Sequence, residues 1–180
     1  METTYNKLNN FNSNLFEKLK EYLDTPIYFY GSIQRWDFFP DYSDIDIDIF
    51  TDNTESTLNK LTNFLNIDKR TIEPVIFRTR TRDLIKGYKL SYENIRDKLR
   101  LEISVYNEKD KEIILTEHKR SIDLPIIVGL ILIIIKFVYY KLKLIDKDLF
   151  NYLKNKTIHM FDNTIPIFVT IPHKVTVPKY

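Results

Sequence analysis

The chain has 180 residues, a length that suits one domain of ordinary size and is tight for two. Its 43% apolar and 29% charged residues are typical of a folded globular protein and exclude a disordered tail. With 27 basic and 25 acidic residues the net charge is +2, which argues against binding to nucleic acid through bulk charge alone. There is no cysteine, so disulfide frameworks, thiol catalysis and cysteine-ligated metal sites are excluded.

The composition also lacks alanine and is rich in Ile, Lys, Asn, Tyr and Phe. We interpret this bias as AT-rich coding, of the kind found in viral, mollicute or parasite genomes. Runs of isoleucine therefore carry less structural information here than they would elsewhere.

The first third of the chain alternates between helix and strand patterns. Residues 13–23 place Leu and Phe at helical spacing, and Pro26 ends that helix. Residues 27–30 predict a short buried strand, and residues 45–50 alternate apolar and acidic side chains, as a strand with two unlike faces does. Residues 54–65 predict a second helix, with Thr54 or Ser56 as its cap.

The middle of the chain is rich in strand patterns and the last third is helical. Strands are predicted over residues 74–82, 87–92 and 99–106, with a further strand around 112–116. The proline-containing tail over residues 165–180 predicts extended chain or a strand at a sheet edge. We expect an α/β (α+β) fold, a mixed sheet flanked by helices, with a core over residues 1–120. A helical C-terminal subdomain with an extended tail, residues 121–180, would complete one compact unit.

One segment, residues 124–135, is entirely apolar and is followed by Lys136. A helix that spans a membrane needs about 20 apolar residues, and runs of about 10–14 are more often buried core helices. We therefore expect a buried helix, while a membrane anchor, a contact with a partner protein or a homo-oligomer contact through residues 124–140 stays open. Residues 1–12 are polar and lack the apolar stretch of a signal peptide, so a soluble, cytoplasmic protein is expected.

The acidic strand carries the strongest functional pattern in the sequence. Asp44, Asp46 and Asp48 lie at alternate positions, so a strand directs all three carboxylates to the same face. Anions about 7 Å apart along a strand repel one another, and the pattern is explained if a divalent cation or a row of cationic side chains lies against that face. The competing interpretation is an exposed edge strand with alternating charge.

Two further features extend this pattern. Gly31 and Ser32 follow a predicted strand, where a glycine lets backbone N–H groups approach a phosphate. Glu102 is a carboxylate on an otherwise apolar strand. If that strand lies beside the acidic strand, Glu102 completes a three-carboxylate cluster of the kind that holds two metal ions about 3.5–4 Å apart.

At these residues the chain resembles the DNA polymerase β-like nucleotidyltransferase superfamily. That family carries a Gly-Ser turn after a strand, Asp-x-Asp on the next strand and a third carboxylate on a later one. The similarity extends over residues 11–106, and the matching positions are Gly31, Ser32, Asp44, Asp46 and Glu102.

The resemblance implies a nucleotidyltransferase-like fold and transfer of a nucleoside monophosphate from an NTP, with release of pyrophosphate. The acceptor would be a hydroxyl on RNA, DNA, a small molecule or a protein. The resemblance assigns catalysis and metal binding to Asp44, Asp46 and Glu102, with Mg²⁺ or Mn²⁺ as cofactor and two ions expected. Gly31 and Ser32 would hold the triphosphate.

Three points stay open at this stage. Asp48 adds an acid, so Asp46 and Asp48 could be the metal pair, although Ser43 before Asp44 favours the first two acids. Glu102 competes with other nearby acids for the third position. A catalytically idle domain with a binding or regulatory role is the alternative function.

A second set of charges lies further along the chain. Arg78, Arg80 and Arg82 alternate with threonines, so a strand over these residues would project three guanidinium groups from one face. Guanidinium groups suit phosphates, and Arg78 and Arg80 are therefore expected to bind nucleotide. A solvated strand end paired with Glu73 and Asp83 explains the same pattern equally well.

Overall fold

The protein is described by a computed structural model that covers residues 2–161 and 167–170, and these residues form a six-stranded sheet flanked by five α-helices. The strands are β1 (Ile27–Tyr30), β2 (Ile45–Phe50), β3 (Glu73–Arg78), β4 (Leu84–Asn94), β5 (Leu99–Tyr106) and β6 (Ile167–Thr170). The helices are α1 (Asn10–Leu23), α2 (Thr54–Leu65), α3 (Lys111–Ile122), α4 (Ile126–Phe137) and α5 (Lys147–Phe161).

The sheet is mixed, as predicted. Its strand order is β1-β2-β5-β4-β3-β6, and β2 and β5 pair in parallel while the other neighbours pair antiparallel. The parallel register sets Asp46 beside Glu102 and Asp48 beside Ser104. The acidic strand is therefore a central strand, and the interpretation as an exposed edge strand is wrong.

Alternation along β2 and β5 gives the sheet two unlike faces. One covers the main core, and the other, the polar face, is polar around Asp46 and Glu102 and also carries a second buried apolar cluster. Ile47 and Ile49 of β2, with Ile103 of β5, are fully buried in the main core, which α1 and α2 cover. The intervening side chains point to the opposite face, where α3 packs and where Asp46 and Glu102 lie. The period of two therefore places isoleucine in the core and carboxylates on the other side.

Three local predictions are wrong. Residues 112–116 belong to α3 and not to a strand, because Ile114 and His118 are buried on one helical face, four residues apart. Strand β3 ends at Arg78, and Thr79 and Asp83 close a turn in which the Asp83 N–H donates to Oγ1 of Thr79 at 2.9 Å. The cap of α2 is also different, since Asn53 accepts from the Ser56 N–H at 3.0 Å.

Helix α4 confirms the predicted apolar helix but is buried on one face only. Val128 and Leu132 are buried, whereas Ile126 is 74% and Ile134 is 62% exposed. A Cβ on Gly129 would collide with the indole ring of Trp36, so this glycine allows α4 to lie directly on the loop after β1. A π-helical turn over Val138–Leu142 leads from α4 towards α5.

No single helix within residues 2–161 is long and apolar enough to cross a membrane. Two consecutive helical segments, Glu108–Ile122 and Ile126–Leu142, would together be long and apolar enough, but the chain bends by 83° between them. The predicted edge strand of the tail is confirmed for Ile167–Thr170, which pairs with β3. The rest of that prediction, residues 165–166 and 171–180, lies outside the described residues.

Candidate active site

The polar face of the sheet opens into a cavity of about 650 Å³. Its floor is formed by residues at the end of β1, the start of β2 and the first half of β5, and its opposite wall by residues of α4 and α5. The cavity therefore lies between the sheet and the C-terminal helices, so residues from both ends of the sequence face one another across it.

The three carboxylates singled out in the sequence line this cavity together. Asp44 precedes β2, Asp46 is within β2, and Glu102 is the register partner of Asp46 on β5. Neighbouring strands lie about 4.8 Å apart, so the backbones of Asp46 and Glu102 are as close as a sheet permits. The predicted position of Glu102 on a strand beside β2 is confirmed.

The three carboxylates are half-buried, so negative charge on them is only partly solvated. Burial, and then the charge of Glu102, raises the pKa of Asp46 to about 7. The same two causes raise the pKa of Asp44, while Lys154, Arg100 and Lys89 act in the opposite direction. A bound cation would stabilise the ionised form of both side chains.

The turn after β1 is shaped by Gly31. Its φ is +70°, a left-handed conformation that favours glycine, and a Cβ there would collide with Oδ2 of Asp46. Gly31 begins a 3₁₀ turn over Gly31–Gln34, so the predicted turn into a helix is a single short turn. Gly31 and Ser32 both line the cavity, and the turn packs directly against the half-buried Asp46.

Cationic side chains surround the carboxylates. Nζ of Lys89 on β4 lies 2.5 Å from Oε2 of Glu102. From α5, Lys147, Asn151 and Lys154 line the cavity, and their spacing of four and three residues places them on one face of the helix. These α5 residues were not predicted, because their helical spacing in the sequence does not show what the helix packs against.

An aromatic cluster forms another part of the wall. Tyr139, Tyr140 and Phe150 line the cavity, and the rings of Tyr139 and Phe150 stack with centroids 4.3 Å apart. Tyr140 lies 5.6 Å from Phe150 by ring centroid. The cavity therefore offers an aromatic surface near its acidic floor, of the kind on which a planar base can stack.

Asp48 is placed differently from the other two aspartates. It is fully buried, and Nε2 of His118 on α3 lies 2.7 Å from its Oδ2. Burial raises the pKa of Asp48, and the charge of His118 only partly offsets this effect. Asp48 is not among the described residues that line the cavity, so the structure groups Asp44 with Asp46 and not Asp46 with Asp48.

Arg78 and Arg80 are also away from the cavity. Because β3 ends at Arg78, the three arginines do not share a strand face, and that expectation is wrong. Nε of Arg80 lies 3.4 Å from Oε2 of the buried Glu117 on α3. Within the part of the chain that the structure describes, neither Arg78 nor Arg80 lines the cavity.

Carboxylate oxygens are the ligands that Mg²⁺ and Mn²⁺ prefer, and Asp44, Asp46 and Glu102 supply them on one surface. Burial and the charge of Glu102 disfavour the ionised form of Asp46, and a bound cation would favour it, so the donor chemistry fits a hard divalent ion. Among the described residues, no three His, Asp or Glu side chains are already arranged as a metal site. To bind a metal ion, Glu102 would have to release Lys89, which is its ion-pair partner in this structure.

Comparison with known families addresses the same segment of the chain. The family model of the nucleotidyltransferase domain matches residues 13–155, a range that contains both strands of the acidic site and most of α5. No curated protein and no solved structure matches the chain. The strand, Gly-Ser turn and carboxylate arrangement agrees with that match, and the chain belongs to the nucleotidyltransferase domain family of the polymerase β-like superfamily.

Proposed function

We propose that this protein transfers a nucleoside monophosphate from an NTP to a hydroxyl acceptor, with Mg²⁺ or Mn²⁺ as cofactor and release of pyrophosphate. The observation that carries the proposal is the convergence of Asp44, Asp46 and Glu102 with the Gly31–Ser32 turn on one cavity. The family match supports nucleotidyl transfer in general. The hydroxyl acceptor and the metal dependence are the proposed additions.

The carboxylates have a defined role in this proposal. Asp44 and Asp46 hold the metal ions, and Glu102 completes the ligand set after Lys89 moves away from it. Two divalent ions bound there would neutralise the triphosphate and lower the pKa of the acceptor hydroxyl for in-line attack on the α-phosphate.

The rest of the cavity orients the NTP. In the proposal the Gly31 backbone and the Ser32 hydroxyl, which line the cavity, donate hydrogen bonds to the β- and γ-phosphates. Lys147 and Lys154 add positive charge from α5, opposite the carboxylates. The aromatic surface of Tyr140 and Phe150 offers a place for the base, without selecting a particular one.

One contact favours the alternative of an idle, regulatory domain. The 2.5 Å pair between Lys89 and Glu102 supplies a cation from the protein itself, where the proposal needs a metal ion. In an idle domain this ion pair would be permanent, and the cavity would bind nucleotide without chemistry or bind none.

The test is incorporation of label from each of the four α-³²P NTPs, with Mg²⁺ or Mn²⁺. RNA, DNA oligonucleotides, small hydroxyl compounds and the protein itself serve as acceptors. Asp44→Asn/Asp46→Asn is the blank, and Asp24→Asn/Asp52→Asn, at two exposed positions outside the cavity, is the control with the same change of charge. Label transferred by the wild type and the control, but not by the blank, supports the proposal. A protein that binds no NTP supports the idle domain.

A further inference from the structure

A second cavity of about 440 Å³ lies next to the first one. The two share Ser43 and Arg100 in their walls. Ser43 immediately precedes Asp44, and Arg100 lies two residues before Glu102 on the same face of β5. A ligand in the second cavity therefore borders the carboxylates, on a side that the Gly31–Ser32 turn does not line.

The second cavity is predominantly cationic. Lys7, Lys98 and Arg100 line it, against a single acid, Asp41. Nζ of Lys98 lies 3.4 Å from Oδ2 of Asp41, and Nε of Arg100 lies 3.0 Å from Oε1 of Glu93, an acid that lines the first cavity and not the second. Both pairs are exposed, and the described lining itself holds three cations and one acid. An anionic ligand is favoured, and guanidinium and ammonium groups on one surface suit a phosphate.

A buried polar side chain in the wall has an unused acceptor. Asn12 is 7% exposed, and its Oδ1 has no hydrogen-bond partner among the described residues. The backbone N–H of Asn12 is already satisfied, because it donates to Oδ1 of Asn9 at 2.7 Å. A buried carbonyl oxygen without a donor is unfavourable, and a ligand hydroxyl would satisfy it.

The remaining wall is partly apolar. Leu8 and Phe38 line the second cavity and pack against the main core. The volume lies within the range of about 300–1,000 Å³ that small-molecule sites have. The surface thus combines cationic groups, an acceptor for a hydroxyl and an apolar wall, which matches a ribose phosphate unit better than a purely apolar or purely acidic compound.

We propose that the second cavity is the acceptor subsite of this protein and that it takes a phosphorylated compound with free hydroxyl groups. The inference rests on the proposed function for its chemistry, because the hydroxyl must reach the α-phosphate beside Asp44 and Glu102. The source of the ribose phosphate unit is either a small sugar phosphate or the 3′ end of an RNA.

The test measures binding separately from catalysis. Equilibrium dialysis is performed with ribose 5-phosphate and with tetra-adenylate, while the first cavity is saturated with Mg²⁺ and α,β-methylene-ATP. The variant Lys7→Glu/Lys98→Glu reverses two exposed charges of the second cavity. The matched control is Lys18→Glu/Lys60→Glu, which reverses two exposed charges on α1 and α2, outside both cavities.

The variant is expected to bind the phosphorylated probe at least about tenfold more weakly than the wild type, with unchanged affinity for the ATP analogue. Binding of ribose 5-phosphate by the wild type would identify a small acceptor, and binding of tetra-adenylate alone would identify an RNA end. Equal probe affinity in wild type and variant overturns the acceptor subsite. The acceptor subsite is also overturned if the wild type binds the ATP analogue but neither probe. In that case the proposed function stands.

A wild type that binds no ATP analogue and transfers no label overturns the proposed function, and the acceptor assignment falls with it. The two failures are thus distinguished by the nucleotide arm of the same experiment.

Discussion

Nζ of Lys136 on α4 donates to both the backbone carbonyl and Oδ2 of Asp37, 99 residues earlier in the chain, and each distance is 2.7 Å. Asp37 also accepts from Nε of Arg35 at 2.7 Å. Lys136 and Asp37 are both almost completely buried. This ion pair joins the C-terminal helices to the loop that follows the Gly31–Ser32 turn, so it fixes one wall of the candidate active site against the other.

Replacing Lys136 by Met is expected to destabilise the protein by about 3 kcal/mol, because a buried carboxylate then loses one of its two cations. Urea unfolding at neutral pH measures the change. The triple variant Arg35→Met/Asp37→Leu/Lys136→Met is the control, since it removes the buried carboxylate together with both of its cations. If the triple variant is no more stable than the single one, the unpaired carboxylate is not the cause of the loss.

Acid should weaken this connection at a predictable pH. Burial alone would raise the pKa of Asp37, but the hydrogen bond and charge of Arg35 and the charge of Lys136 outweigh it and leave the pKa below 3.8. A carboxyl with a lowered pKa stabilises the folded state above its unfolded pKa, and that contribution is lost as pH falls through the folded value. Unfolding free energies measured from pH 5 down to pH 2.5 should fall less steeply in Asp37→Asn than in the wild type. Equal slopes would contradict the role of Asp37.

The Gly31 turn allows a test that combines stability and activity. Gly31→Ala introduces a Cβ at a positive φ and against Oδ2 of Asp46. We expect the free energy of unfolding to fall by about 1–3 kcal/mol, because an alanine is strained at this φ. We expect the rate of nucleotidyl transfer to fall about a hundredfold, because the carboxylate of Asp46 must move. Ser32→Ala, which changes the neighbouring side chain but not the backbone, is the comparison. It should unfold at the same urea concentration as the wild type.

Removal of one acid should separate stability from activity. Asp46→Asn is expected to abolish transfer, while the protein remains folded and becomes more stable in the presence of EDTA, since Asp46 is partly desolvated and lies beside the like charge of Glu102. Thermal unfolding and the labelled-NTP assay measure the two effects. Wild-type transfer rates in this variant would contradict the assignment of Asp46.

The cations of α5 are predicted to act on the NTP. Lys154→Gln should raise the KM for NTP about tenfold, since one charge opposite the triphosphate is lost. Lys156 lies on the same helix but does not line the cavity, and Lys156→Gln should leave KM unchanged. A similar change in both variants would indicate a general effect of charge on α5.

Part of the acidic site was predictable because its information is local. The spacing of Asp44 and Asp46, and the turn at Gly31, follow from a period of two and a short motif. Glu102 stayed open, because its place beside Asp46 depends on the pairing of β2 with β5. The prediction that the three arginines share a strand face was wrong, because nothing in the alternation of residues 78–82 shows that β3 ends at Arg78. The α5 wall could not be predicted, because only tertiary packing brings Lys154 into the same cavity as Asp46. There the charge of Lys154 partly offsets the rise in the pKa of Asp46.

The alternation along β2 has a consequence for folding fidelity. A shift of β2 by one residue against β5 would turn Asp46 and Asp48 into the isoleucine core and bring Ile47 and Ile49 to the polar face. Such a misaligned strand would place two carboxylates in an apolar interior, which is far more costly than a packing defect. The two acids of β2 therefore disfavour misregistered pairings, whatever their part in nucleotide chemistry, and mutations that neutralise them are expected to make the sheet more tolerant of alternative alignments.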